Sequence, residues 1–401
     1  GTISAGTLGD ASLTATTGAI TDGNGGILNN ITADTATLAA GTGIGSSDAI
    51  DTTVTTLSAV STSGNINIRE TNNLIIGGSG VMTQNGNIQV DVISNNLTLS
   101  TDLDYNGKGT NTLTFNVDDD IIIDGKIYDS DTASGVDSLN LNLVVTSGND
   151  GGVQIEKIID LNGGDLNINS VGGIFPPGTG AGVVQNADIS TSGGAVTVTS
   201  SFGEIIMADG VKTSSDGGEI RYTTSGTGAN SNITLSSLDA DTGNVVVTSA
   251  NGSIPDGTVG GEAANITAGT AILEAATGIG TIAADEDLDT AVTTTLQLTN
   301  NTSGDIVVSD SGSGTTDLTA SNKSSIAGDD IVINDSGAIV LSDVDTQNGS
   351  ITVIAGGAMT ATDVETLTDA ATNDITLEGT SIAVGTISAG TLGDASLTAT
   401  T

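Results

Sequence analysis

The sequence predicts an all-β fold of the parallel β-solenoid type, and three observations carry that expectation. The first is composition. The chain has 57 Gly, 3 Pro, 1% aromatic residues and neither Cys nor His. Thr, Val and Ile outnumber the good helix formers, which favours strands over helices. The second is alternation. Ile, Val and Leu recur in short runs with period two, each opened by a turn residue. Examples are Gly64-Asn-Ile-Asn-Ile, Gly86-Asn-Ile-Gln-Val, Gly194-Ala-Val-Thr-Val, Gly243-Asn-Val-Val-Val, Gly304-Asp-Ile-Val-Val and Gly349-Ser-Ile-Thr-Val. Period two marks a strand with one buried face, and the preceding Gly or Asn marks the turn. The third is spacing. The first apolar residue of each run falls at Ile66, Ile88, Leu113, Leu139 and Leu166, then at Ile306, Ile331, Ile351, Ile375 and Leu397. Steps of about 20–27 residues exceed those of a hairpin sandwich and suit one solenoid coil of two or three short strands.

Each coil then needs its neighbours. A few aliphatic side chains, each contributing roughly 1.5–3 kcal/mol on burial, cannot order one coil alone. Stability comes from the stack, in which every backbone group pairs with the coil above or below. Small Ala, Gly, Ser and Thr suit the corners. Domain boundaries are not expected, so residues 1–401 read as one continuous solenoid.

Repeats support this. The segment GTISAGTLGDASLTATT occurs at 1–17 and again at 385–401, identical throughout. The spacing predicts a tandem array with a 384-residue period, in which each unit stacks on a copy of itself. Within the period, two blocks near 18–68 and 252–308 are related. Ile31–Gly45 aligns with Ile266–Gly280 without gaps, and Ile50-Asp-Thr-Thr-Val-Thr-Thr echoes Leu288-Asp-Thr-Ala-Val-Thr-Thr.

Charge narrows the partners. The net charge is −41, with 48 acidic against seven basic residues. At ~4.8 Å per coil the period would be roughly 75 Å long, about one net charge per 2 Å, close to the ~1.7 Å of duplex DNA. Such a surface repels nucleic acid and anionic membranes, and divalent cations would be needed to bring neighbouring filaments together. No run approaches the ~18–20 apolar residues of a membrane helix. Without Cys there is no disulfide staple or thiolate metal site.

The acids gather in turns: Asp102-Leu-Asp104-Tyr-Asn106-Gly107, Asp118–Asp120, Asp129-Ser-Asp131, Asp239-Ala-Asp241 and Asp343-Val-Asp345-Thr-Gln-Asn348-Gly349. The first opens like a calcium loop, with oxygen ligands at alternate positions before a Gly, but Leu113 stands where the closing Glu belongs. Asp102, Asp104 and Asn106, with Asp343, Asp345 and Asn348, are the candidate Ca²⁺ ligands. The competing reading is that Asp, Asn and Gly simply make turns.

Catalysis is not expected. A β-helix acting on acidic polysaccharide needs convergent carboxylates, basic residues for the sugar and aromatic platforms. The bases Arg69, Lys108, Lys126, Lys157, Lys212, Arg221 and Lys323 are scattered, and His and Trp are absent. Asn-x-Ser/Thr sequons occur at Asn30, Asn96, Asn232, Asn251, Asn265, Asn301, Asn322, Asn334 and Asn348, as a chain rich in these residues produces without selection.

Phrases such as Gly304-Asp-Ile-Val-Val and Gly349-Ser-Ile-Thr-Val resemble, over nearly the whole chain, the repeat regions of filamentous-haemagglutinin-type and autotransporter-like bacterial adhesins. The resemblance implies a right-handed parallel β-helix, export, and display outside the cell as a stalk or fibre. The expected role is structural: an extracellular or cell-surface filament for attachment, cell–cell contact or coating. An adhesin shaft or Ca²⁺-dependent binding module is the second reading, and a polysaccharide-active enzyme the third. The 384-residue period and the acidity depart from a single adhesin stalk.

Overall fold

A computed structural model describes residues 1–130, 137–147, 151–172, 180–226, 231–259, 263–283 and 286–400. They divide into two compact units, Gly1–Gly203 and Glu204–Thr401. Each is a β-solenoid of parallel strands. About 16 turns are present in all, and no described residue is helical.

In the first unit the alternating runs stack as the spacing predicts. Ile66–Glu70 pairs with Ile88–Val92, and that strand with Leu113–Val117 of the longer strand Thr110–Val117. Ser138–Val145, Leu166–Ser170 and Val196–Ser200 continue the column. Inward positions superpose: Ile66, Ile88, Leu113, Leu141, Leu166 and Val196 form one buried file. A second column runs through Leu74–Thr83, Leu97–Leu99, Ile121–Ile123, Val153–Ile155 and Ala181–Gln185. A third holds Leu103–Tyr105, Ile127–Asp129, Ile159–Asp160 and Ile189–Ser190. These coils therefore have three sides and a buried, largely aliphatic centre.

Much of the second unit uses two strands per coil. Ile306–Asp310, Ile331–Asp335, Ile351–Ala355, Ile375–Gly379 and Ala395–Ala399 form the short column. Beside it run the long strands Thr315–Asn322, Ala338–Thr346, Ala358–Thr366 and Ser381–Ser388. The register shifts between Leu318 and Thr319, so one long strand does the work of two sides by bending at a bulge.

Two details differ from the spacing. Leu113 lies opposite Leu141, not Leu139, and Ile375 lies opposite Ala395, not Leu397. The step between partners also runs wider than 20–27 residues, from 18 (Ile50 to Ile68) to 32 (Ile121 to Val153). Corners absorb the extra length, because only the strands must superpose.

Candidate functional site: the corner ladders

The feature that recurs in both units is a side-chain ladder at the corners. At several corners the residue before an apolar run accepts a hydrogen bond from the backbone N–H of its equivalent one coil on. In the first unit Asn65 Oδ1 accepts from Asn87 N (3.0 Å), and Asn87 Oδ1 from Thr112 N (3.0 Å). Asn140 Oδ1 then accepts from Asp165 N, and Asp165 Oδ1 from Ala195 N, both at 2.8 Å. In the second unit Asp305 caps Asp330 N (2.8 Å) and Asp330 caps Ser350 N (2.7 Å). Ser350 Oγ caps Asp374 N (3.3 Å), and Asp374 caps Asp394 N (2.9 Å). A corner turns the backbone away from its strand partner, and a short acceptor one coil below recovers the bond. This accounts for the Asn or Asp of the Gly-Asn/Asp-Ile phrase at these corners. Burial, with Asp329 close by, raises the Asp305 and Asp330 carboxyls above the usual range.

The two related blocks carry a second device, at the same place in each. Strand Ile50–Ser61 crosses from one side to the next: Ile50–Thr52 pairs with Ile68–Glu70, while pairing resumes at Thr56 with Ile75. The Val54 N–H at the bend would be stranded in a buried place. Glu70, itself fully buried, takes it (3.1 Å) and also accepts from Thr52 Oγ1 (2.7 Å), Thr71 N (2.9 Å) and Asn72 N (3.1 Å). In the second unit Leu288–Asn300 bends likewise, and Asp310 accepts from Val292 N (2.9 Å) and Thr290 Oγ1 (2.8 Å). Upstream, Asn30 Oδ1 caps Asp51 N and Asn265 Oδ1 caps Asp289 N, each at 2.8 Å. Their amides donate to Asp22 and Asp256. Asn30 and Asn265, two of the sequon residues, are thus buried structural groups, as is Asn322. The sequence alignment stopped short of Glu70 and Asp310. The signal was an acid in each block's next strand, blurred because one is Glu and the other Asp.

The candidate calcium ligands fall in both units. Asp102 belongs to a corner: its Oδ1 accepts from Lys126 N at 2.9 Å, one coil on. Asp104 lies opposite Tyr128, and its charge raises that phenol. Asn106 is exposed. Asp104 and Asn106 also line a cavity of about 180 Å³ whose other walls include Val81, Leu103, Tyr105 and Leu113. Asp343 sits exposed at the bulge, whereas Asp345 accepts from Ser321 Oγ (3.2 Å) and is raised by burial. Asn348 donates to Ser325 O (2.9 Å) and accepts from Asn373 (3.2 Å). Among the described residues, no three His, Cys, Asp or Glu side chains come together as a metal-holding group. Of the other acidic turns, Asp131 lies outside the described residues.

The basic residues stay dispersed. Arg69 pairs with Asp51 at 2.9 Å, and Lys157, Lys212 and Arg221 pair with Asp124, Asp239 and Glu219. Compared with protein-family models, curated proteins and solved structures, the chain matches none.

Proposed function

We propose that this chain is a structural segment of an extracellular or cell-surface filament, built from tandem β-solenoid periods and serving attachment, cell–cell contact or a surface coat. The observation that carries the reading is that both copies of the 17-residue segment fold as the same coil. Ile3–Ser4 and Ala11–Ala15 are strands in the first copy, and their equivalents lie in the strands Ser381–Ser388 and Ala395–Ala399 in the second. A coil that is right for both places lets one period run into the next. The resemblance to haemagglutinin-type adhesin repeats points the same way, toward export and a stalk without catalysis of its own.

Two measurements test this. Gold-labelled antibody against the chain should decorate thin, unbranched threads on intact, unpermeabilised source cells. Labelling only after permeabilisation would overturn the placement. The denatured thread protein should be far larger than one 39.1 kDa chain, and a sharp band at that mass would exclude covalent continuity.

A further inference from the structure

The repeated segment provides one strand sequence in two settings, and the two settings use opposite edges. In the first unit Ala11–Ala15 lies against Ala36–Ala40 of the following coil, with Leu13 opposite Leu38 and Ile3 opposite Ile31. In the second unit the same residues, as Ala395–Ala399, lie against Ile375–Gly379 of the preceding coil, with Leu397 opposite Leu377 and Ile387 opposite Val364.

The backbone groups divide the same way. Toward the following coil, the amides of Ile3 and Ala5 donate to Asn30 O (2.7 Å) and Thr32 O (2.9 Å). The carbonyls of Gly9 and Ala15 accept from Asp34 N (2.8 Å) and Gly41 N (2.9 Å). Toward the preceding coil, Asp394 O accepts from Ile375 N (2.9 Å) and Thr400 N donates to Gly379 O (2.8 Å). In the first copy those two residues are Asp10 and Thr16. Odd-numbered positions of the first copy face forward and even-numbered ones backward, as the alternation of a parallel ladder requires. None of these groups is wanted by both neighbours. Each copy also leaves apolar surface on its open side: Ile3 and Leu397 are each 41% exposed.

We infer that the segment is a seam coil that holds two neighbours at once: the last coils of one period on one edge and the first full coil of the next period on the other. The partner is a second copy of this chain's period. The register is fixed, with Leu377, Leu13 and Leu38 in one inward file and Thr376, Ser12 and Thr37 in one outward file. The Asp374 carboxylate would cap the N–H of Asp10 as it caps Asp394 N here. Leu8 is 94% exposed and its copy Leu392 61%, so this side chain belongs outside the seam. The inference rests on the tandem-array reading and adds the register to it.

The test is a chain of two covalently joined periods. The protein has no cysteine, so introduced thiols are the only ones. Thr376→Cys in the first period with Ser12→Cys in the second should form a disulfide under mild oxidation. So should Ser12→Cys with Thr37→Cys in the second period. A pair two residues out of register, Thr376→Cys with Thr14→Cys, should react at least about tenfold more slowly, since strand partners on adjacent coils lie within disulfide reach and shifted ones do not. Hydrogen exchange on the unsubstituted chains gives a second readout. In the 401-residue chain the Ile3 amide should be protected in the first copy and the Thr400 amide in the second. In the two-period chain the seam copy should protect both Ile3 and Thr16. Preference for the shifted pair would overturn the register and leave the array reading standing. Failure of both in-register pairs, with a seam Thr16 amide as fast as in the single chain, would overturn the seam and the array together.

Discussion

Asp310 and Asp335 lie directly opposite one another on adjacent coils of the second unit, and both are buried, 3% and 4% exposed. Asp310 is fully engaged: beyond Val292 N and Thr290 Oγ1, its second oxygen accepts from Thr316 Oγ1 at 3.1 Å. Asp335 accepts from Gly337 N (2.6 Å) through one oxygen, and its other oxygen is buried without a partner. The next strand, Ile351–Ala355, offers no ionisable group. Burial, with Asp310 adding like charge, pushes the Asp335 carboxyl up to about 6.

That shift has a definite sign. Between the unfolded carboxyl range near 4 and about 6, the folded chain holds the proton that the unfolded chain has lost, so stability falls as pH rises through this window. The second unit should therefore be more resistant to urea at pH 4.5 than at pH 7.5, by on the order of 1–2 kcal/mol. Asp335→Asn should raise stability at pH 7.5 and flatten the profile. An unchanged profile in that variant would place the pH dependence elsewhere.

The bend caps are the next quantity to measure. Glu70→Ala strands the Val54 and Asn72 amides and leaves Thr71 N and Thr52 Oγ1 only their longer bonds to Thr52 O (3.2 Å) and Arg69 O (3.4 Å), and should cost about 2–4 kcal/mol in denaturant unfolding of the first unit. Glu70→Gln keeps one acceptor and should cost less than half of that. Asp310→Ala should behave as Glu70→Ala does, but in the second unit, because the two residues do the same work.

Corner glycines divide into two kinds. Gly194 passes so close to the preceding coil that a Cβ would overlap the Gly164 carbonyl. Gly163 faces open space but has φ +101°, where a side chain is strained. Gly163→Ala should cost about 1 kcal/mol through backbone strain. Gly194→Ala must push two coils apart and should cost at least about twice that. Equal losses would mean that coil spacing is not set by backbone contact.

Asp102 separates the ladder from the calcium reading. If its carboxylate serves Lys126 N, Asp102→Ala should lower stability by about 1 kcal/mol, while Asp102→Asn, which keeps the acceptor, should lower it little. Millimolar Ca²⁺ should then shift the melting of the wild type and of Asp102→Ala alike. A Ca²⁺ stabilisation lost only in Asp102→Ala would favour the calcium reading.

Much of the architecture was legible in the sequence, and the misses have physical causes. The runs at Ile66, Ile88, Ile306 and Ile331 announced their columns because apolar and polar residues alternate cleanly behind a turn. The slips at Leu139 and Leu397 are both of two residues. A two-residue slide keeps every side chain on its own face, so Leu139-Asn-Leu-Asn-Leu fits its neighbour in more than one way. The ladder was hidden for a different reason. Asn65, Asp165 and Asp330 looked like ordinary turn residues, and that their oxygens reach the next coil depends on stacking the sequence does not display. Asp102 stands among the candidate ligands because spacing shows which oxygens are neighbours in the chain; that its Oδ1 accepts from Lys126 N depends on the stacking.

The central claim is that the coils of successive periods form one continuous stack, and diffraction from an aligned specimen of a multi-period chain tests it most directly. Strands lying across the thread place the hydrogen-bond spacing along it, so a strong reflection at about 4.8 Å should appear on the axis of the thread. The same spacing found perpendicular to the axis, or a preparation that yields only compact separate particles, would contradict the account.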